Sequence, residues 1–453
     1  MYGPIYGTLC FTLAVCAVIA SFRVMRPDLG KATAAVVTTA AFAKIFLPFY
    51  LIGSTPIFAA TCALGVALVA VSRHPVYDMA NRVSDVFLVV AAFYILVITS
   101  FLIQSFPAVP ITHLVGILIF HALFAIFGFS AARALKAVLL TLMSAGAIYS
   151  IVMLQFVARF GDVIQQGYLQ DIFGVGNPAI FTTFHQNIGI VLGLAALAGV
   201  GLASNRVRQI CILGALPLVV LIMFHVSARG ALVALICSLV FLVGAAFWVY
   251  SRKLALTAVF AVMITAAVAS GLLYQRAIHD KDLYVATDAF SRTVREIQNP
   301  TPGLRLAIWT QTWHRISSEP DRLLFGRGIG MYPVIEGVGA PDWLLRKTEA
   351  SRHYPHNVYL EMLYETGIAG LLLFGLVTLL PLGIALRRWH LFSLVQKSAI
   401  SMYVFQLVGA QFSGGFAFGY LDLFFFGLTV GIIALSRAND APVRDQYATR
   451  GAE

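Results

Sequence analysis

Charge is the first thing this chain is short of. Only 11% of its 453 residues are Asp, Glu, Lys or Arg, against 60% hydrophobic, less than half the charged share of an ordinary soluble protein. A water-soluble globule is thereby excluded. One transmembrane helix takes about 20 apolar residues, so a dozen or more leave room for only one modest extramembrane piece, and a large soluble catalytic domain is excluded as well. Cysteine is sparse too. Cys10, Cys16, Cys62, Cys211 and Cys237 all fall in apolar runs, so none can staple an outer loop with a disulfide, and no Cys/His spacing suggests zinc. There is no internal repeat of domain size, no low-complexity segment and no cationic stretch ahead of the first apolar run. That first run, followed by Arg23 and Arg26, reads as an uncleaved anchor with its N-terminus outside, not as a signal peptide.

What is present is apolar runs near 5–22, 33–52, 56–71, 86–104, 111–129, 137–157, 187–203, 209–225, 228–250, 254–273, 367–386, 398–416 and 420–436. The fold class expected is an all-α polytopic membrane protein of 12–13 transmembrane helices with one large, partly helical outer loop. Its parts are an N-terminal bundle of about ten spans over 1–273, the loop over 274–366, C-terminal helices over 367–436 and a polar tail over 437–453. The net charge of +11 locates the faces. If the first loop is cytoplasmic, alternate loops and the tail hold seventeen cations, among them Arg23, Arg73, Arg133, Arg206, Arg252, Arg387 and Arg437, against six anions. That surplus of eleven is the whole excess, so the basic balance is a topology signal and nucleic-acid binding has no support. The 93-residue loop 274–366 then lies on the non-cytoplasmic face with eleven cations and eleven anions.

Within that loop, Thr301 and Pro302 form a helix start, as N-cap and first helical residue. Leu306, Trp309, Trp313 and Ile316 then recur as one apolar stripe of an amphipathic helix, with Arg305 at its first turn, off the stripe. A solvated arginine on a helix face is the plain alternative there. Phe325-Gly326-Arg327-Gly328-Ile329-Gly330 is a glycine-dense turn without the order or preceding strand of a dinucleotide fingerprint. It is either an anion-binding nest or a tight turn. In Arg352-His353-Tyr354-Pro355-His356-Asn357, Pro355 suits the first helical position and Gly367 the helix stop. His356 is then expected in the first turn, where the helix's positive end and Arg352 favour a neutral, proton-accepting imidazole over the structural histidine that is the commoner case.

Three cations, Lys44, Arg159 and Arg229, lie outside both the cytoplasmic segments and the large loop. An arginine near a span costs a few kcal/mol unless it finds a partner or water, which makes such residues functional candidates beside the alternative of snorkelling. A pyrophosphate leaving group needs its developing charge stabilised, and bidentate arginines can supply this without a metal. Asp280-Lys281-Asp282 is the competing device for a divalent ion.

Taken together, these residues resemble the O-antigen ligase and polymerase superfamily of bacterial membrane glycosyltransferases. The resembling pieces are Thr183-Phe184-His185-Gln186-Asn187, Ser227-Ala228-Arg229-Gly230, Gly303-Leu304-Arg305-Leu306-Ala307-Ile308-Trp309, the glycine-dense turn, and Pro355-His356-Asn357-Val358-Tyr359-Leu360-Glu361 with Glu365-Thr366-Gly367. They occur in the family's order between 183 and 367; the first 180 residues match only in topology. The resemblance implies inverting transfer of an undecaprenyl-diphosphate-linked glycan to an acceptor hydroxyl at the periplasmic face of the bacterial inner membrane, foremost O-antigen ligation to lipid A-core in lipopolysaccharide biosynthesis. It implies His356 as general base, Arg229 and Arg305 as diphosphate ligands, no metal and no cofactor or nucleotide. Lys44, Arg159, His185, Asn187, Arg327, Arg352 and Asn357 are candidate substrate contacts. The same donor end serves a polymerase, with a glycan acceptor, and a protein O-oligosaccharyltransferase. A secondary transporter of an anion or lipid-linked sugar is the rival from another class.

Overall fold

The computed structural model describes residues 28–46, 54–71, 73–160, 184–203, 205–225, 228–250, 305–336 and 354–438. Among them every regular element is helical, as expected where no water is available to satisfy a backbone that does not bond to itself. Eleven of these helices are the apolar segments: α1 Leu29–Phe46, α2 Ser54–Val71, α4 Ser84–Ser100, α5 Ile111–Ala131, α6 Leu135–Phe160, α7 Phe184–Leu202, α8 Arg206–His225, α9 Arg229–Tyr250, α12 Val358–Arg387, α13 Leu394–Ser413 and α14 Tyr420–Ala438. Three shorter ones complete the set: α3 Arg73–Asn81, α10 Arg305–Ser318 and α11 Met331–Glu336. The expected spans at 5–22 and 254–273 lie outside the described residues.

The stretch Ile111–Ile148 is 38 helical residues long, nearly twice what a bilayer needs, but it is two spans. Tyr420 of α14 packs on Phe120 and Phe124, and Gly431 meets Phe129 and Ala132, so α5 and α14 run parallel. Antiparallel pairing instead joins α6 to α7, where Gly146 meets Ala195 and Gly201 meets Leu139, and α7 to α13, where Gly193 meets Phe405 and Gly201 meets Ser398. The chain therefore reverses over the single 3-10 turn Ala132–Ala134. The closest approach is α5 on α14. A methyl added at Gly128 would overlap the Phe424 backbone, and one at Gly427 the backbone of Ala125, the small-residue packing that substitutes for a hydrophobic drive between helices in lipid.

One end of the bundle gathers the basic loops. Arg437 closes α14 onto the start of α4 with two bonds to Asp85 of 2.7 and 2.9 Å, and Arg388 reaches Ser436 at 3.4 Å. The opposite end is formed by the starts of α7, α9 and α12 and the end of α13, and there α12 departs from a plain span. Gly367 has φ 67° and ψ −166°, a region open essentially to glycine alone, and the helix folds back on itself. Tyr359 Oη lies 3.2 Å from Thr378 Oγ1, and its ring is 5.3 Å from that of Phe374. In an unbroken helix residues 359 and 378 would be about 28 Å apart. A short arm, 358–366, thus lies against the long arm, 368–387, and turns its N-terminus towards the bundle. The expected stop at Gly367 is a reversal inside α12, with a helix on both sides.

Candidate active site

The short arm begins at Val358, three residues later than the sequence suggested. Asn357 is its N-cap, with extended backbone and a side chain accepting from the N–H groups of Tyr359 and Leu360 at 3.1 and 3.0 Å. Pro355 is therefore outside the helix. An Asx side chain at 357 competes for the first amides better than a proline ring two residues earlier can initiate a turn. His356, expected in the first turn, precedes the cap in the left-handed region at φ 55°, rare for a residue with a β-carbon. Its half-buried ring lies 4.4 Å from the Tyr354 ring. The carbonyl of the preceding Pro355 accepts from Trp309 Nε1 at 2.7 Å, which ties the backbone before the histidine to α10.

Trp309 belongs to α10, the amphipathic helix of the outer loop. Thr301 and Pro302 lie outside the described residues, and Arg305 is the first described residue of the helix. The expected stripe is rotated. Ile308, Thr312 and Ile316 are buried while Trp313 is 57% exposed, because Thr312 bonds the Tyr332 hydroxyl at 2.8 Å and Ile316 packs with Tyr332 and Tyr364. That face, at steps of three and four, includes Arg305 and Trp309, so Arg305 is on the packed side and half-buried. It is close enough to Tyr354 to favour the phenolate, yet burial dominates and, with Glu361, pushes the Tyr354 phenol above its ordinary value. Tyr354 stays a neutral hydrogen-bonding group at physiological pH.

The glycine-dense turn explains itself by what touches it. Gly326, Gly328 and Gly330 all have positive φ, and a β-carbon at Gly326 would overlap the backbone of Glu365. One amide of the turn is taken up by an acid of the same chain: the Glu365 carboxyl accepts from Tyr332 N–H at 3.1 Å and from the Gly330 N–H. The Arg327 and Gly328 amides bond the carbonyls of Tyr364 and Glu365 at 3.1 and 2.7 Å. The Arg327 guanidinium is buried, bonded to the Arg315 carbonyl at 2.7 Å, paired with Glu319 at 3.2 Å and stacked 4.5 Å over Tyr364. Turn and arginine together clamp α10 and α11 onto the short arm.

Arg229 is the first residue of α9, half-buried. A β-carbon on the next residue, Gly230, would lie 2.8 Å from Phe412 near the end of α13, and Gly189 packs on Ala228 and Ala231. Phe412 lies three residues before Gly415, which touches Tyr354. The start of α9 that carries Arg229 and the turn that carries His356 thus both lie at the end of α13 and the loop after it, remote from the basic loops, and Arg305 stands near Tyr354. Half-buried Asn187 stands on the first turn of α7, half a turn before Gly189. His185 is the second residue of α7, Arg159 the last but one of α6 and Lys44 the third from the end of α1, which places their backbones at helix ends on that side. Arg352 and the Asp280/Asp282 pair lie outside the described residues. Among the described residues no group of three or more His, Cys, Asp or Glu side chains is arranged to hold a metal ion.

Comparison with known proteins now bears on this arrangement. Residues 212–375 match the family described as O-Antigen ligase. Over this stretch the chain is similar to an O-antigen ligase domain. The matched stretch runs from α8 into the long arm of α12 and takes in Arg229, Arg305, the glycine-dense turn and His356. No curated protein matches the chain. Such a match implies a membrane glycosyltransferase-like enzyme with lipid-linked glycan and acceptor substrates in general, and the apolar helices suit a multi-pass membrane protein.

Two cavities adjoin the domain's histidine turn. One of about 30 Å³ lies between His113, Tyr354, Glu361, Glu365 and the loop Gly415–Ala417, enough for a water molecule. Beneath it, sharing Gly415 and Phe416, an apolar cavity of about 480 Å³ runs among α4, α5, α12, α13 and α14. It is lined by Phe93, Phe374, Leu407 and Phe426 and opens past Phe87 and Ile126. Sequence reading missed Tyr354, Glu361 and Glu365. The available signal was two acids four residues apart leading into an apolar run, a costly placement unless each finds a partner.

Proposed function

We propose that this protein transfers a glycan from undecaprenyl diphosphate to a hydroxyl of lipid A-core at the periplasmic face of the inner membrane. The observation that carries the reading is the left-handed backbone of His356, fixed by the Asn357 cap, the Trp309 bond and Tyr354. Such strain, of about 1–3 kcal/mol, persists where surrounding structure over-determines it and concentrates at functional sites.

In this mechanism the isoprenoid chain occupies the apolar cavity and the diphosphate sits under Arg229 and Arg305. His356 accepts the proton of the attacking hydroxyl. The acceptor oxygen then bonds the anomeric carbon from the face opposite the diphosphate, the bond from that carbon to the diphosphate oxygen breaks, and the configuration inverts. Charge developing on the leaving group is met by the two guanidinium groups. The donor bond stores the energy, so no nucleotide takes part, and the arginines do the work a metal would otherwise do; EDTA is expected to leave the rate unchanged.

The test is transfer in vitro with purified protein, a synthetic polyprenyl-diphosphate glycan and a choice of acceptors. Lipid A-core glycosylation that His356→Gln abolishes is expected. Retained activity in that variant removes His356 as the base, and transfer only to a second lipid-linked repeat makes the protein a polymerase. Uptake into proteoliposomes without transfer would replace the enzyme with a transporter.

A further inference from the structure

The short arm of α12 carries a carboxylate that the proposed chemistry leaves unused. Glu361 stands one turn after the cap, its own N–H donating to the Asn357 carbonyl at 3.0 Å. The side chain is buried, and Oε2 accepts from the Phe416 N–H at 3.0 Å. The Phe416 carbonyl can only accept, so its 2.9 Å contact with His121 places a hydrogen on Nε2. His121 Nδ1 is then left to accept from the Tyr94 hydroxyl at 2.7 Å. Both polar groups of the Phe416 backbone are thereby held, one from the short arm and one from α5. The preceding residue, Gly415, is the surface on which Tyr354 rests: a β-carbon there would lie 2.9 Å from Tyr354 Cδ2. Tyr354 in turn packs on His356, and Glu361 and Tyr354 share the wall of the smaller cavity.

We infer that Glu361 is a positioning residue for His356. Through the Phe416 N–H it fixes the loop at Gly415, the loop seats Tyr354, and Tyr354 sets the imidazole. The inference rests on His356 being the base. Without an acceptor at 361 the Phe416 N–H is buried and unsatisfied, and the loop is released on the side facing Tyr354. A shift of about 1 Å in a reacting group costs on the order of 10²-fold in rate, while neither arginine proposed to hold the donor is itself altered. The role needs an acceptor oxygen, which glutamine also supplies.

The experiment compares steady-state transfer by the full-length protein with Glu361→Ala, Glu361→Gln, Gly415→Ala and Tyr354→Ala. Glu361→Ala is expected to lower kcat on the order of 10²-fold with donor KM held within about twofold, and Glu361→Gln to restore most of the loss. Combining Glu361→Ala with Tyr354→Ala should cost little more than either alone, because both act through one contact. Gly415→Ala, which pushes Tyr354 without touching Glu361, should show the same fall in kcat and decides the matter if Glu361→Ala does not fold. Wild-type kcat in Gly415→Ala or Glu361→Ala, a loss confined to KM, or a glutamine variant as slow as the alanine one overturns the proposal. Activity in His356→Gln would instead sink the base assignment, and the two failures are separable.

Discussion

At the scale of single residues the histidine turn trades stability for position. Asparagine tolerates the left-handed region better than histidine does. His356→Asn should therefore melt no lower than the wild type, by thermal unfolding in detergent, while transfer is lost; a large drop in melting temperature would show the imidazole to be structural. Arg327 is fully engaged by Arg315, Glu319 and Tyr364. Arg229→Ala and Arg305→Ala are expected to slow transfer by about 10² or more, each with partial rescue by lysine, which keeps charge but not the planar fork. Full activity in either alanine variant would count against a shared diphosphate site. The same change at Arg327 should instead show as loss of folded protein, because it strips a buried network of its centre.

At the scale of elements, the reversal inside α12 decides whether a site forms. Gly367→Ala demands a backbone region closed to alanine and pushes a methyl into the Leu324 carbonyl. A cost of at least about 1–3 kcal/mol is expected as a lower melting temperature together with lost activity, and unchanged melting would mean the two arms separate more freely than their contacts suggest. Asn357→Ala removes the cap at a cost of about 1 kcal/mol. How far these elements were legible beforehand follows from their kind. The apolar runs announced eleven helices because in lipid nothing else is allowed. The α10 stripe was misplaced because Trp309 and Trp313 look equivalent by hydropathy, and only the partners offered by Pro355 and Tyr332 show which face turns inward. His356 and Gly367 stand out from the proline that suits a helix start and the glycine that suits a helix stop. That spacing marks a break but does not say that the chain folds back at it.

At the scale of the whole molecule, the bundle puts its basic loops at one end and the proposed site at the other. With the five native cysteines replaced, a cysteine at exposed Ser317 on α10 should react with a membrane-impermeant maleimide added from the periplasmic side, and one at exposed Ser393, at the start of α13, should not. The reverse pattern would invert the topology and the proposed face of the reaction. Sequence alone determined the solvent, the helical class and the sign of each loop, since these follow from composition and from counting charges between apolar runs. Tertiary structure alone decided which groups meet. The acid that meets the glycine-dense turn is Glu365 of the same chain, and Glu361 is tied to Phe416 across 55 positions. Such pairings depend on how helices cross and where Gly367 sends the short arm, and no local pattern of side chains encodes a contact whose partners are brought together only by the fold.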